Sequence, residues 1–157
     1  VALRLRPLRD AELPAYVEHN RAAYERDLVA QAGLSRAQAT TKTDTDRERL
    51  FPGGRPASGS ELFVIEDDSG VRVGDLWIAE RENDGGDKAL YVYAIEIAPE
   101  HRGRGLGREA MLLFEDEARS RGLSGTSLTV LGGNEIARSL YRSLGYAERA
   151  VFMSKTL

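Results

Sequence analysis

Residues 95 to 108, Ile-Glu-Ile-Ala-Pro-Glu-His-Arg-Gly-Arg-Gly-Leu-Gly-Arg, restrict the folding of this chain more than any other stretch. An alternating apolar run with strand periodicity meets Pro99, which cannot donate to a β-ladder. Three glycines at alternate positions, Gly103, Gly105 and Gly107, then lead into a helical pattern from Leu106. A strand that turns through glycine into a helix leaves an open helix N-terminus beside the strand's end. Without Cβ atoms the backbone can bend tightly and approach a ligand closely. The N–H groups of the first helical turn lack intrahelical partners, and with the positive end of the helix dipole they attract phosphate.

Spacing separates the phosphate-binding motifs that share this design. A P-loop needs Lys followed by Ser or Thr after its last glycine, but Gly107 is followed by Arg108 and Glu109. A dinucleotide-binding fingerprint needs a third glycine where this chain has Arg108. What remains, Arg102-x-x-Gly105-x-Gly107, resembles the Arg/Gln-x-x-Gly-x-Gly/Ala signature of the GCN5-related N-acetyltransferase (GNAT) family. A second segment, Gly133-Asn134-Glu135-Ile136-Ala137-Arg138-Ser139-Leu140-Tyr141-Arg142-Ser143-Leu144-Gly145-Tyr146, is similar to that family's other hallmark, with Asn134, Ala137, Tyr141, Gly145 and Tyr146 in matching order. Physical chemistry gives these residues reasons of their own. Asn134 is a favoured N-cap, and Asn134, Ala137, Arg138 and Tyr141 share one helical face.

The resemblance implies an α+β (mixed α/β) chain with the GNAT acyl-CoA N-acyltransferase fold: a central mixed six- to seven-stranded sheet, about four helices, one domain over residues 1–157. It implies acetyl-CoA as co-substrate and no metal. The backbone of Ile95 and Ile97 would pair with the pantetheine arm, with the Ile97 N–H near the thioester carbonyl. The pyrophosphate would meet backbone N–H groups from Arg102 or Gly103 through Arg104, Gly105, Leu106, Gly107 and Arg108. Arg102, Arg104 and Arg108 are candidates to add side-chain charge, and Asn134, Ala137 and Tyr141 would line the cofactor from the second helix. Acetyl would pass to a primary amine by direct attack through a tetrahedral intermediate, with Tyr141 as general acid toward the CoA sulfur. Glu96, which alternates with Ile95 and Ile97 along its strand, is the candidate base, with a water relay as the alternative. A non-catalytic acyl-CoA-binding sensor or interaction module of the same fold is the competing reading, since fold alone does not define activity.

Composition bounds these readings. With 41% hydrophobic and 30% charged residues, the 157-residue chain has the balance of a folded domain, and its apolar runs are too short to span a bilayer. The absence of cysteine excludes disulfides and thiol chemistry, and a net charge of -3 disfavours nucleic acid as a partner. The expectation is a cytoplasmic bacterial-type transferase without membrane or nucleic-acid partners, acting on a small-molecule or peptide amine, with homodimerisation left open.

Along the chain the pattern predicts a strand at 2–6, a helix capped by Asp10, a polar helix capped by Ser35, and a loop at 52–60. Three antiparallel strands follow at about 62–65, 72–82 and 89–98, then a helix at 106–121, a strand at 127–130, the helix after Asn134, and a closing β-pair at 146–148 and 152–155. Tyr16, Tyr24, Trp77, Tyr91, Tyr93 and Phe152 are candidates to line the acceptor site, and Glu80, Glu82 and Glu96 are candidates for an acidic rim. His19 and His101 lack ligand spacing and are expected at the surface.

Overall fold

The computed structural model describes residues 2–83 and 85–157. Its elements are β1 (Arg4–Pro7), α1 (Leu13–Ala32), α2 (Arg36–Leu50), β2 (Ser60–Glu66), β3 (Arg72–Glu82), β4 (Lys88–Ile97), α3 (Leu106–Ser120), β5 (Gly125–Leu128) and α4 (Glu135–Ser143). Short 3-10 turns at Asp10–Glu12, Pro52–Gly54 and Pro99–His101 join some of them. The five strands form one sheet in chain order, antiparallel from β1 to β4 and parallel between β4 and β5.

Helix ends follow local chemistry. The Ser35 hydroxyl accepts from the Gln38 N–H and the Gln38 side chain returns to the Ser35 N–H, a reciprocal capping box that starts α2. α1 begins after a 3-10 turn, with Pro14 in its first turn, so Asp10 lies in that turn and does not cap the helix. Gly33, in the left-handed region at φ 71°, ends it.

The two faces of the sheet carry different cores. On one, Leu106, Ala110, Met111, Phe114 and Ala118 of α3 form a single helical stripe over Ile65, Val73, Leu76, Ile78, Leu90 and Val92. On the other, Tyr16 and Val17 of α1 pack with Phe51, Leu62 and Trp77; Phe51 meets Trp77 at a tilt with ring centroids 4.7 Å apart, and Trp77 stacks on Tyr93 at 4.5 Å. A register shift between Trp77 and Ile78 passes over Tyr93 on β4, so the faces exchange there. Leu90 and Val92 point to α3 before it and Ile95 and Ile97 after it, while Tyr93 and Ala94 join the α1 side.

The sheet has five strands where six to seven are expected from the sequence. The closing pair at 146–148 and 152–155 is not formed, and residues 147–157 adopt no regular element. Glu148 is drawn instead to the guanidinium groups of Arg138 and Arg142 on α4, at 2.8 and 3.2 Å. An isolated two-stranded ribbon with no third strand to pair is marginal in water, and alternation of residue type alone does not hold it. β5 is also earlier than the sequence suggests. Its pairing with β4 runs from Ala89 opposite Gly125 to Val92 opposite Leu128 and stops there. No helix among the described residues is long and apolar enough to cross a membrane.

Candidate active site

The end of the β4–β5 pairing opens the site. β4 continues from Tyr93 to Ile97 with its β5-facing edge unpaired, so the two parallel strands part like a V. The Ala98 N–H donates to the Val73 carbonyl at 2.9 Å, toward β3. Strand alternation therefore aims the Ile97 and Ile95 N–H groups toward the open edge, as the sequence reading requires. An extended ligand arm can add to such an edge as another strand does.

Immediately beyond lies the glycine turn. Gly103 at φ 73° and Gly105 at φ 79° are in the left-handed region, where a Cβ is strained, although a Cβ at either position would meet no atom within 4 Å. Their glycine identity is set by backbone conformation. Gly107 is helical, and a Cβ there would meet only the Leu140 side chain at 3.6 Å, an ordinary contact. Packing within the chain therefore does not demand glycine at 107, whereas a ligand lying on the turn would.

The Arg102 N–H donates to the Pro99 carbonyl at 3.3 Å and the Arg108 N–H to the Gly105 carbonyl at 3.0 Å. Between them, the N–H groups of Gly103, Arg104, Gly105, Leu106 and Gly107 meet no acceptor among the described residues. The cradle is thus narrower than expected from the sequence, since Arg102 and Arg108 spend their amides within the turn. Five successive open donors at the start of a 15-residue helix suit a pyrophosphate.

The arginine side chains divide. Arg108 donates to the Ser143 hydroxyl at 2.7 Å and ties the start of α3 to α4. Arg104 is exposed, with only a long 3.4 Å contact to His101 Nδ1. Arg102 turns back onto β4, donating from Nε to the Ile97 carbonyl at 2.8 Å and from the guanidinium to Glu96 Oε1 at 3.1 Å. It is committed to the strand end and not to the phosphate cradle.

α4 flanks the V from the β5 side. The Asn134 side-chain oxygen accepts from the Ala137 N–H at 3.2 Å, so Asn134 is the N-cap its type predicts, with its amide NH2 left for a ligand. Ala137 and Tyr141 follow on the same face. The Tyr141 ring is partly buried against the α3-side core, 5.9 Å from the Tyr146 ring, and its phenol oxygen has no hydrogen-bond partner among the described residues. Burial pushes the Tyr141 phenol above its ordinary pKa, so it carries its proton at neutral pH.

Across the sheet, Glu96 faces a cleft of about 560 Å³ between α1, β3 and the end of β4. Ala15, Tyr16 and His19 of α1, Gly74 and Asp75 of β3, and Pro99 line it with Glu96. A Cβ built on Gly74 would collide with the Glu96 carbonyl oxygen, so Gly74 lets β3 approach β4 at this point. Of the expected acceptor-site aromatics only Tyr16 reaches this cleft. Trp77 and Tyr93 belong to the stacked core, Tyr91 donates to the Thr129 hydroxyl at 3.0 Å, and Phe152 is 93% exposed on the tail. Tyr24 lies two turns further along α1 and is absent from the cleft lining. The expected acidic rim is also redistributed. Glu80 pairs with Arg121 at 3.6 Å and Glu82 lies opposite Lys88 at the far end of β3, while Glu12, Asp75 and Glu100 accompany Glu96.

Sequence reasoning missed His19. It is exposed, as expected, but it also lines the cleft, with Nε2 2.9 Å from Glu96 Oε2. The pairing spans 77 residues, and the only local signal was that His19 follows Tyr16 by one helical turn.

A strand V beside five open amides and a capped helix bearing a protonated tyrosine is the architecture of a GNAT acyltransferase. Residues 14–146 match the family model described as the Acetyltransferase (GNAT) family, and the chain belongs to that family. It is 27% identical over 158 residues to the uncharacterized N-acetyltransferase YdgE of Bacillus subtilis, covering 100% of this chain and 99% of that protein. The crystal structure of the putative acetyltransferase YycN from Bacillus subtilis superposes with a TM-score of 0.88 at 27% identity, over 99% of each chain. A mycothiol acetyltransferase from Rhodococcus jostii is 30% identical over 155 residues, but those span 90% of this chain and only 50% of that protein. The protein is an acyltransferase, and acetyl-CoA is the donor its family uses.

Proposed function

We propose that this chain is a single-domain N-acetyltransferase that moves the acetyl group of acetyl-CoA to a primary amine. The observation that carries the reading is the row of five unpartnered N–H groups at Gly103–Gly107, continuous with the free edge of β4. The thioester of acetyl-CoA supplies an activated acetyl carbon to the site. The open amides hold the pyrophosphate, the Ile95 and Ile97 backbone aligns the arm, and Asn134 and Ala137 border it from α4.

The amine approaches from the cleft beside Glu96. Nitrogen bonds to the acetyl carbon to give a tetrahedral intermediate, and as it collapses and the C–S bond breaks, the Tyr141 phenol donates its proton to the departing sulfur. The nitrogen's surplus proton leaves on the Glu96 side. A lysine-like amine has a pKa near ~10.4, so only about 0.1% is neutral at pH 7.4, and a proton acceptor on this side speeds the reaction. The names of relatives leave the acceptor open. The test is a panel of polyamines, amino sugars, aminoglycosides and peptides with free N-termini, read by release of CoA thiol and by mass of the product. Thiol release matched by an acetylated amine supports the reading, and release no faster than background hydrolysis on every amine contradicts it.

A further inference from the structure

We infer that His19, held by Glu96, is the group that takes the proton from the acceptor amine, and that Glu96 acts on the reaction only by positioning His19. The inference rests on the acetyltransferase reading above and names the residue that works at its acceptor side.

Both carboxylate oxygens of Glu96 are occupied. Oε1 accepts from the Arg102 guanidinium at 3.1 Å and Oε2 meets His19 Nε2 at 2.9 Å. Arg102 is itself fixed by its 2.8 Å bond to the Ile97 carbonyl, on the open edge of β4. A carboxylate engaged by two donors and paired with a guanidinium is a poor acceptor for an amine proton.

His19 has the complementary properties. With Nε2 turned to Glu96, the neutral ring carries its proton on Nε2 and presents a bare Nδ1, and Nδ1 has no partner among the described residues. The side chain is 53% exposed at the cleft, which gives the proton a route to solvent. Tyr16, buried one turn earlier in α1, anchors that stretch of helix against the sheet and so fixes where His19 emerges. A base oriented by a third group is a recurrent arrangement in acyl transfer.

The acidic groups lining the cleft with His19 come from four segments. Glu12 precedes α1 and is paired with Arg6 at 3.0 Å, Asp75 on β3 is paired with Arg72 at 2.7 Å, Glu96 is on β4, and Glu100 follows it. The proton balance closes. His19 Nδ1 takes one proton from the ammonium and passes it to solvent, the freed amine bonds to the acetyl carbon to form a tetrahedral intermediate, its surplus N–H proton goes to His19 Nδ1, and collapse breaks the C–S bond as sulfur receives the Tyr141 proton; solvent restores both residues.

The activity test uses the full chain with His19→Gln and the best amine of the panel. At pH 7.4 we expect kcat/KM for the amine to fall about 100-fold with the acetyl-CoA KM unchanged. The deficit shrinks as pH rises toward the amine's own pKa, because free amine then forms without help; a merely structural defect lacks that recovery. A second measurement needs no turnover. In 15N spectra the neutral His19 ring is a single Nε2–H tautomer, and Glu96→Ala converts it to a mixture while His101 is unmoved. Equal transfer by His19→Gln across the pH range overturns the role of His19 alone, as does an imidazole spectrum indifferent to Glu96→Ala. A wild type inert on every amine overturns this inference and the acetyltransferase reading together.

Discussion

Replacing Tyr141 with Phe removes one oxygen and nothing else from the site. The ring's packing against the α3-side core and its 5.9 Å neighbour Tyr146 are retained. The phenol oxygen makes no hydrogen bond within the described residues, so its loss strands no partner, and stability should change by less than ~1 kcal/mol. Catalysis should respond very differently. A positioned general acid contributes roughly 10²–10⁴-fold, or about 2.7–5.4 kcal/mol of barrier at 1.36 kcal/mol per decade. Because burial raises the Tyr141 pKa, wild-type activity should not decline from phenol ionisation until well above neutral pH. Steady-state assay of CoA thiol release should therefore show kcat lowered by two decades or more, with CoA affinity by calorimetry and the Tm both preserved. A kcat within threefold of wild type would refute the role of Tyr141. A large fall in Tm would show that the hydroxyl has a structural partner and refute the stability argument.

Gly105→Ala places a Cβ at φ 79°, a conformation costing a non-glycine residue about 1–2 kcal/mol, and tilts the row of open amides. Calorimetric titration with CoA should show affinity weakened roughly tenfold, and unchanged affinity would remove the turn from the binding site. Acid stability should follow the Arg6 cluster. The Arg6 guanidinium holds the Glu12 carboxyl at about 2, below the ordinary 4.5, and with Arg4 it also lowers Glu66. Since these folded pKa values are depressed, their stabilisation is complete above the unfolded value and is lost as pH falls from about 4.5 toward 2. Thermal melts over that window should show Tm falling with pH, with a shallower fall in Glu12→Gln; identical slopes would contradict the assignment.

How much of this was legible in the sequence depended on whether the determinant was local. The glycine turn, the Ser35 and Asn134 caps and the α3 helix are written in residues within a turn or two of one another, and each appears where its pattern indicates. The free edge of β4 followed from the family resemblance alone, since Pro99 marks only where that strand ends and alternation says nothing about a missing partner. Residues 146–157 were misread because alternation cannot say whether a partner edge exists, and Glu148 found Arg138 and Arg142 instead. The acceptor side failed for a related reason. His19, Asp75 and Glu96 come from three distant segments, and nothing local to His19 announces Glu96 across 77 residues. The aromatics at Trp77 and Tyr93 carry the same letters as ligand-lining rings, but the register shift at Tyr93 sends them into a stacked core.

The proposed activity is transfer of acetyl from acetyl-CoA to an amine. Its most direct test is a mass-resolved assay of the amine panel with 13C-acetyl-CoA, in which product and free thiol are counted together. At least one amine should gain a labelled acetyl group in one-to-one ratio with CoA thiol, and that product should be lost in Tyr141→Phe. Thiol release without any labelled amine, at the rate of uncatalysed hydrolysis across the whole panel, would contradict it.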